Sequence, residues 1–276
     1  MSTRPGDSTK DLFRLVNMDR YPIRERSAEP ARKAIELLRQ TFVKDGVVEL
    51  AEFIVSEAVS TLLEDALVHL PEARESSGYG SIYVNEGDDS LWPEGHPRRL
   101  AVPERLRLLS YDQFPSESIL RRLFEWDHIL HLICDITGDS LYRYADPLGG
   151  LNVTVTASGE EKGWHFDQAD YGAAIALQPA ENGGEFEVIP FVRTAEHENY
   201  EEVIRCLEGD RSRVRQFATH PGNLVLFQGR YSLHRVAPVQ GTKPRLVAIL
   251  AYDRKPDTKG SEFLNKSRYG APALGS

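Results

Sequence analysis

Apolar residues recur at spacings of three and four through the first half of the chain, and near two through the second. From about Pro30 to Lys44, Ala34, Leu37, Leu38 and Thr41 share one helical face, and Gly46 supplies the stop. A short strand, Val47 to Leu50, is expected next. Val59, Leu62, Leu63, Ala66, Leu67 and Leu70 define a second helix that Pro71 ends. Residues Ser76 to Pro97 are rich in Gly, Asp, Ser and Pro, which predicts irregular loop with a short strand around Ile82-Tyr83-Val84. Ser116 is placed to cap a third helix with the stripe Ile119, Leu123, Trp126, Leu130 and Ile133, closed by Gly138.

From Leu141 onward short strands separated by Gly and Pro turns take over. The segments are Leu141 to Tyr144, Asn152 to Thr156, Gly172 to Gln178, Gly184 to Ile189, Arg213 to Ala218, Asn223 to Phe227, Val236 to Val239 and Leu246 to Tyr252. One further helix, Glu196 to Glu208, inserts among them. Such strands preceded by supporting helices predict a mainly β fold with flanking helices, a cupin-like jelly roll. Residues 1–276 are expected to form one unit: helical support over 28–140, the barrel over 141–256, and a tail over 257–276 that Phe263 and Tyr269 are suited to dock at the barrel mouth.

Composition narrows the function classes. A formal charge of −9 and a pI near 5.5 argue against a broad nucleic-acid footprint, which needs clustered positive charge. No apolar run approaches a bilayer span, and Met1 to Lys10 lacks the apolar stretch of a signal peptide. Cys134 and Cys206 imply no disulfide framework, so a cytoplasmic setting is expected, with Cys134 a buried inert thiol.

The chemistry concentrates in Trp164-His165-Phe166-Asp167, answered by His234 and then Arg245. Alternate residues of a strand face one side, so His165 and Asp167 are placed to reach one metal. His234 closes the segment Gly222 to His234, which reads as a strand, a turn and the start of another strand. Two imidazoles and one carboxylate make the facial triad that leaves one side of a non-haem iron(II) open.

From about Leu151 to Pro256 the chain resembles the iron(II)/2-oxoglutarate-dependent oxygenases, which are built on a double-stranded β-helix. The resemblance rests on Trp164-His165-Phe166-Asp167, on Asn182 to Pro190, on Gly229 to Val236 and on Pro244-Arg245-Leu246. It is closest to the branch holding free-amino-acid hydroxylases, radical halogenases and ring-forming oxidases, and Phe42 to Leu50 is similar to the opening of many such enzymes. It implies that His165, Asp167 and His234 hold Fe(II), that 2-oxoglutarate and O2 are co-substrates, and that succinate and CO2 form as a substrate C–H bond is oxidised. It also implies that Arg245 pairs with the far carboxylate of 2-oxoglutarate, a buried anion that needs a bidentate partner. Asn152 and Thr154 are candidate secondary hydrogen-bonders for it. Halogenases of the family replace the carboxylate ligand with a small residue to admit chloride, so Asp167 favours hydroxylation. Desaturation and ring closure remain open to the same centre, as does a metal-binding barrel without oxygenase chemistry, although such a barrel has no need of Arg245.

The expected partner is a small polar molecule, a free amino acid, bound by a monomer or homodimer. Arg98 or Arg99 is the candidate for its carboxylate and Asp170 for its ammonium. His69, His96, His128, His131, His197 and His220 have no matched partners in the sequence and are read as structural.

Overall fold

The switch from helical to alternating pattern becomes a curled antiparallel sheet with most of the preceding helices packed on one face of it. The computed structural model describes residues 12–84 and 91–270, so Met1 to Lys10 lies outside it. The helices are α1 (Glu29–Asp45), α2 (Ser56–His69), α3 (Ile119–Glu125), α4 (Asp127–Thr137), α5 (Tyr200–Leu207) and α6 (Glu262–Tyr269). The strands are β1 (Val47–Leu50), β2 (Arg74–Ser81), β3 (Ala101–Ser110), β4 (Tyr142–Arg143), β5 (Leu151–Thr156), β6 (Glu161–His165) and β7 (Tyr171–Gln178). They continue with β8 (Asn182–Gly183), β9 (Phe186–Ile189), β10 (Arg215–Phe217), β11 (Leu224–Phe227), β12 (Leu233–Val236), β13 (Val239–Gln240) and β14 (Arg245–Asp253).

The main sheet runs β1-β11-β7-β14-β5-β3-β6-β12-β9-β10, with β2 added to β3 and β4 to β14, while β8 and β13 form a separate pair. This curled antiparallel sheet is the jelly roll that the alternation predicts. Among the described residues no helix is long and apolar enough to cross a membrane.

Several local expectations need correction. The Gly/Ser-rich stretch expected as loop holds β2, which pairs along its whole length with β3, itself unanticipated. Ile82 to Val84 lies outside any strand, and Val84 turns into the left-handed region at φ 48°. The third helix is two helices, because Trp126 is extended (φ −80°, ψ 118°) between them. Its cap is Ser118, whose side chain accepts from the Arg121 amide, and not Ser116. The strand expected over Val236 to Val239 is divided between β12 and β13 on either side of Ala237-Pro238, since proline donates nothing to a ladder. Cys134 is only half-buried, and burial pushes its thiol upward.

Strand parity positions the site. On β5, Leu151, Val153 and Val155 enter the core with the helices, alongside Ala173, Ile175 and Leu177 of β7 and Leu246, Ala248 and Leu250 of β14. They pack against Phe42, Leu62, Leu123, Ile129, Leu132 and Ile136. The intervening residues Asn152, Thr154, Thr156, Ala174, Arg245, Val247 and Ile249 turn to the concave face and line a cavity of about 320 Å3. β6, β12 and β9 supply the opposite wall. α6 covers the mouth: Tyr269 donates to Asn152 at 2.8 Å and Asn265 to Asp146 at 3.0 Å, both buried.

β3 and β6 approach so closely that a Cβ on Gly163 would meet Val102 Cβ at 2.7 Å and the Pro103 carbonyl at 2.9 Å. Gly163→Ala is therefore expected to destabilise the fold by about 1–3 kcal/mol in urea unfolding. A loss under about 0.5 kcal/mol, the size of an ordinary surface change, would mean that β3 yields freely.

Candidate metal centre and 2-oxoglutarate site

His165 and His234 are direct cross-strand partners, at matched positions of the antiparallel strands β6 and β12. Opposed side chains on one face stand close, and the two rings lie 4.2 Å apart between centroids. Asp167 lies beyond the end of β6, not within a strand as the i, i+2 spacing suggests. The chain leaves the ladder after His165, and the Asp167 amide donates to the Gly229 carbonyl at 3.0 Å. That turn carries the carboxylate to the same point: Asp167 Oδ2 is 3.3 Å from His234 Nε2, and Oδ1 is 3.7 Å from His165 Nε2.

These three residues offer ligand atoms that all lie within 4.8 Å of one another. Each imidazole Nδ1 sits 2.8 Å from a carbonyl two residues upstream, Gly163 for His165 and Ser232 for His234. A carbonyl only accepts, so Nδ1 carries a proton in each ring and Nε2 is the nitrogen that faces the carboxylate. Burial, reinforced by His234 and Lys162, holds His165 neutral well below the usual histidine range. Burial alone would raise the Asp167 carboxyl, but His234 and His165 keep it well below the ordinary range. The converging donor set N2O fits a divalent first-row metal. Fixed outer hydrogen bonds on both histidines strengthen that fit.

Arg245 lines the same cavity from β14 and is 5% exposed. Its Nε donates to Thr219 at 3.0 Å, and among the described residues it forms no salt bridge. Burial pushes its pKa down to about 10, with Glu185 acting against the shift. It remains a cation at neutral pH, and a buried cation without a counter-ion asks for an anionic ligand. Thr154 and Asn152 share this wall, but they are engaged: Thr154 approaches the Val247 carbonyl at 3.4 Å, while Asn152 donates to Leu148 and Leu151 and accepts from Tyr269.

The residues expected at the substrate lie elsewhere. Arg98 donates to Tyr200 at 2.8 Å and pairs with Glu198 at 3.1 Å; Arg99 donates to the Trp92 carbonyl at 3.1 Å. Asp170 pairs with Arg230 and accepts from the Arg254 amide at 3.0 Å. None of the three lines the cavity. Sequence reasoning passed over Lys162 and Glu104, a buried ion pair in the cavity wall that Ser76 supports at 2.9 Å. Although burial would raise Glu104, Lys162 holds it at about 2. No sequence signal joins two residues from strands so far apart in the chain.

The profile of the family described as "Halogenase D" matches residues 94–267, more than half of the chain, including the triad and Arg245. The chain belongs to the halogenase D family. No curated protein matches it. Among solved structures, the non-haem α-ketoglutarate-dependent epimerase SnoN of nogalamycin biosynthesis is similar over 89% of this chain and 94% of its own, at 18% identity and a TM-score of 0.59. A prolyl hydroxylase from Trichoplax adhaerens, in complex with a hypoxia inducible factor peptide, covers 93% and 96% at 12% identity and a TM-score of 0.55. HygX from Streptomyces hygroscopicus, with nickel and 2-oxoglutarate bound, covers 79% and 87% at 12% identity and a TM-score of 0.54. At these identities the likeness is one of fold, and the fold of this halogenase D family member is that of the iron(II)/2-oxoglutarate oxygenases.

Gly229 offers a test of the centre, because a Cβ there would overlap the Asp167 carboxylate. Gly229→Ala is expected to weaken iron(II) binding by about tenfold or more in anaerobic calorimetry. Unchanged affinity would mean that Asp167 does not ligate from this position.

Proposed function

We propose that this chain is an iron(II)/2-oxoglutarate-dependent oxygenase that hydroxylates an unactivated C–H bond of a small polar molecule, a free amino acid. The observation that carries the reading is Arg245, a buried guanidinium without an ion-pair partner among the described residues, in the same cavity as His165, Asp167 and His234. A metal-binding barrel of another chemistry has no use for that cation. Iron(II) on the triad, with 2-oxoglutarate and O2, supplies oxidising power through decarboxylation to succinate and CO2.

The chain's own residues do the rest. His165, Asp167 and His234 would hold the metal from one side, leaving the cavity side open to the co-substrates. Arg245 would anchor the far carboxylate of 2-oxoglutarate with a bidentate fork, Thr219 steadying its Nε. Phe186 and Phe227, packed against His234 with centroids 5.7 and 5.0 Å away, keep water from that wall. A cavity of about 320 Å3 shared with 2-oxoglutarate leaves room for a small substrate. Asp167 supports hydroxylation over halogenation, since it occupies the ligand position that a halide would need.

Two measurements test this. Iron(II) plus 2-oxoglutarate without oxygen is expected to give a weak violet charge-transfer band in the wild type. Arg245→Ala is expected to raise the 2-oxoglutarate concentration needed for half the band by roughly ten- to a hundredfold, the loss of a charged hydrogen-bonded pair. Under air, succinate formation across a panel of amino acids is expected to rise with one member and to vanish in His165→Ala. A wild-type protein that binds iron(II) tightly yet shows neither band nor succinate would overturn the oxygenase reading.

A further inference from the structure

A second arginine lines the cavity with its Nε unpaired among the described residues. Arg268, on α6, lines the cavity beside Tyr269, Tyr144 and Phe263. Its Nε is sealed from solvent and has no hydrogen-bond partner among the described residues. The hydroxyl of Tyr144, which lines the same cavity, is likewise buried and unpartnered among the described residues. Leaving a buried donor unpaired is costly, and more so where the group is charged. Such a pair asks for an acceptor, and a guanidinium selects an anionic one.

Glu104 and Asp167 lie near enough to feel the Arg268 charge, but among the described residues neither forms an ion pair or hydrogen bond with it. Glu104 is bonded to Lys162 and Ser76, and Asp167 belongs to the metal triad; Glu75, the third carboxylate among the described lining residues, stands exposed at the rim. Nor is Arg268 a second group for the co-substrate carboxylate, because that cation is Arg245, on β14 beside Thr219. The helix that carries Arg268 is fixed relative to the metal centre. The Ser261 amide donates to Gln168, the residue after Asp167, at 2.8 Å, and Gln168 returns a bond to the Ser261 hydroxyl at 2.9 Å. Tyr269 and Asn265 hold the same helix to Asn152 and Asp146. The guanidinium is thus held in place before any ligand arrives, which lowers the ordering cost of binding.

We propose that Arg268 and Tyr144 together form the receptor for a carboxylate of the substrate, separate from the Arg245 site. Naming the ligand as substrate rests on the oxygenase reading; the anion site itself does not. Bound there, the substrate lies under α6 and against the open side of the triad. The helix acts as a fixed roof whose inner surface recognises the charge.

Acetate is the probe. In 15N-labelled protein, the Arg268 Nε–H resonance, assigned by its loss in R268K, is expected to shift saturably with sodium acetate but not with sodium chloride at matched ionic strength. Y144F is expected to raise the apparent Kd by about tenfold, the loss of one hydrogen bond to a charged group. A resonance that acetate leaves in place, or that chloride moves equally, overturns the proposal. An acetate affinity that Y144F leaves unchanged overturns the part assigned to Tyr144. The anaerobic violet band is read in parallel and is expected to be unaffected by R268K and Y144F. Its absence in the wild type would sink the oxygenase reading instead, whatever acetate does.

Discussion

The antiparallel pairing of β6 with β12 governs the centre, because it sets His165 opposite His234. Register in a sheet is all or nothing: a slip of one residue turns every side chain to the other face. This register is held from both sides. β12 also pairs with β9 over Leu233 to Val236, and β6 is clamped by β3 at Glu104 and Arg105. Only after the two imidazoles are placed does the turn at Asp167, tied to Gly229, have a point to aim at. The ligands therefore come from two strands and one loop, with the strands supplying rigidity and the loop the angle.

Much of this was legible in the sequence because it is periodic or local. The alternation on β5, β7 and β14 marks out a sheet with unlike faces, and the helical stripes of α1 and α2 lie close to where spacing puts them. The triad was readable because its residue types have few other reasons to share that spacing. β2 and β3 escaped notice because their stability is not local. Arg74 to Ser81 is Gly/Ser-rich and only its partner makes it a strand, while β3 carries Pro103 and charges that disguise its apolar residues.

Charged groups were the least legible part. Arg98 and Arg99 stand out in the sequence as a basic turn, and the fold ties them to Tyr200, Glu198 and Trp92. Arg268 sits among polar residues of a tail with nothing to distinguish it, yet it reaches the cavity because α6 folds back over the mouth. What an arginine does depends on which carboxylates lie within reach, and that is a property of the tertiary structure. The same holds for Lys162 and Glu104, whose mutual neutralisation inside the wall is visible only when β3 and β6 meet.

The two-faced character of β5 has an evolutionary consequence. Leu151, Val153 and Val155 answer to the helices, and Asn152, Thr154 and Thr156 to the cavity. Selection on ligand recognition can therefore rewrite every second position while the intervening ones keep the domain folded, so the two traits drift almost independently. A one-residue insertion is another matter. It exchanges the two sets at once, putting amides and hydroxyls into the core and bare hydrocarbon into the pocket. Lineages descended from this scaffold should vary by substitution along these strands and by length only in the loops between them.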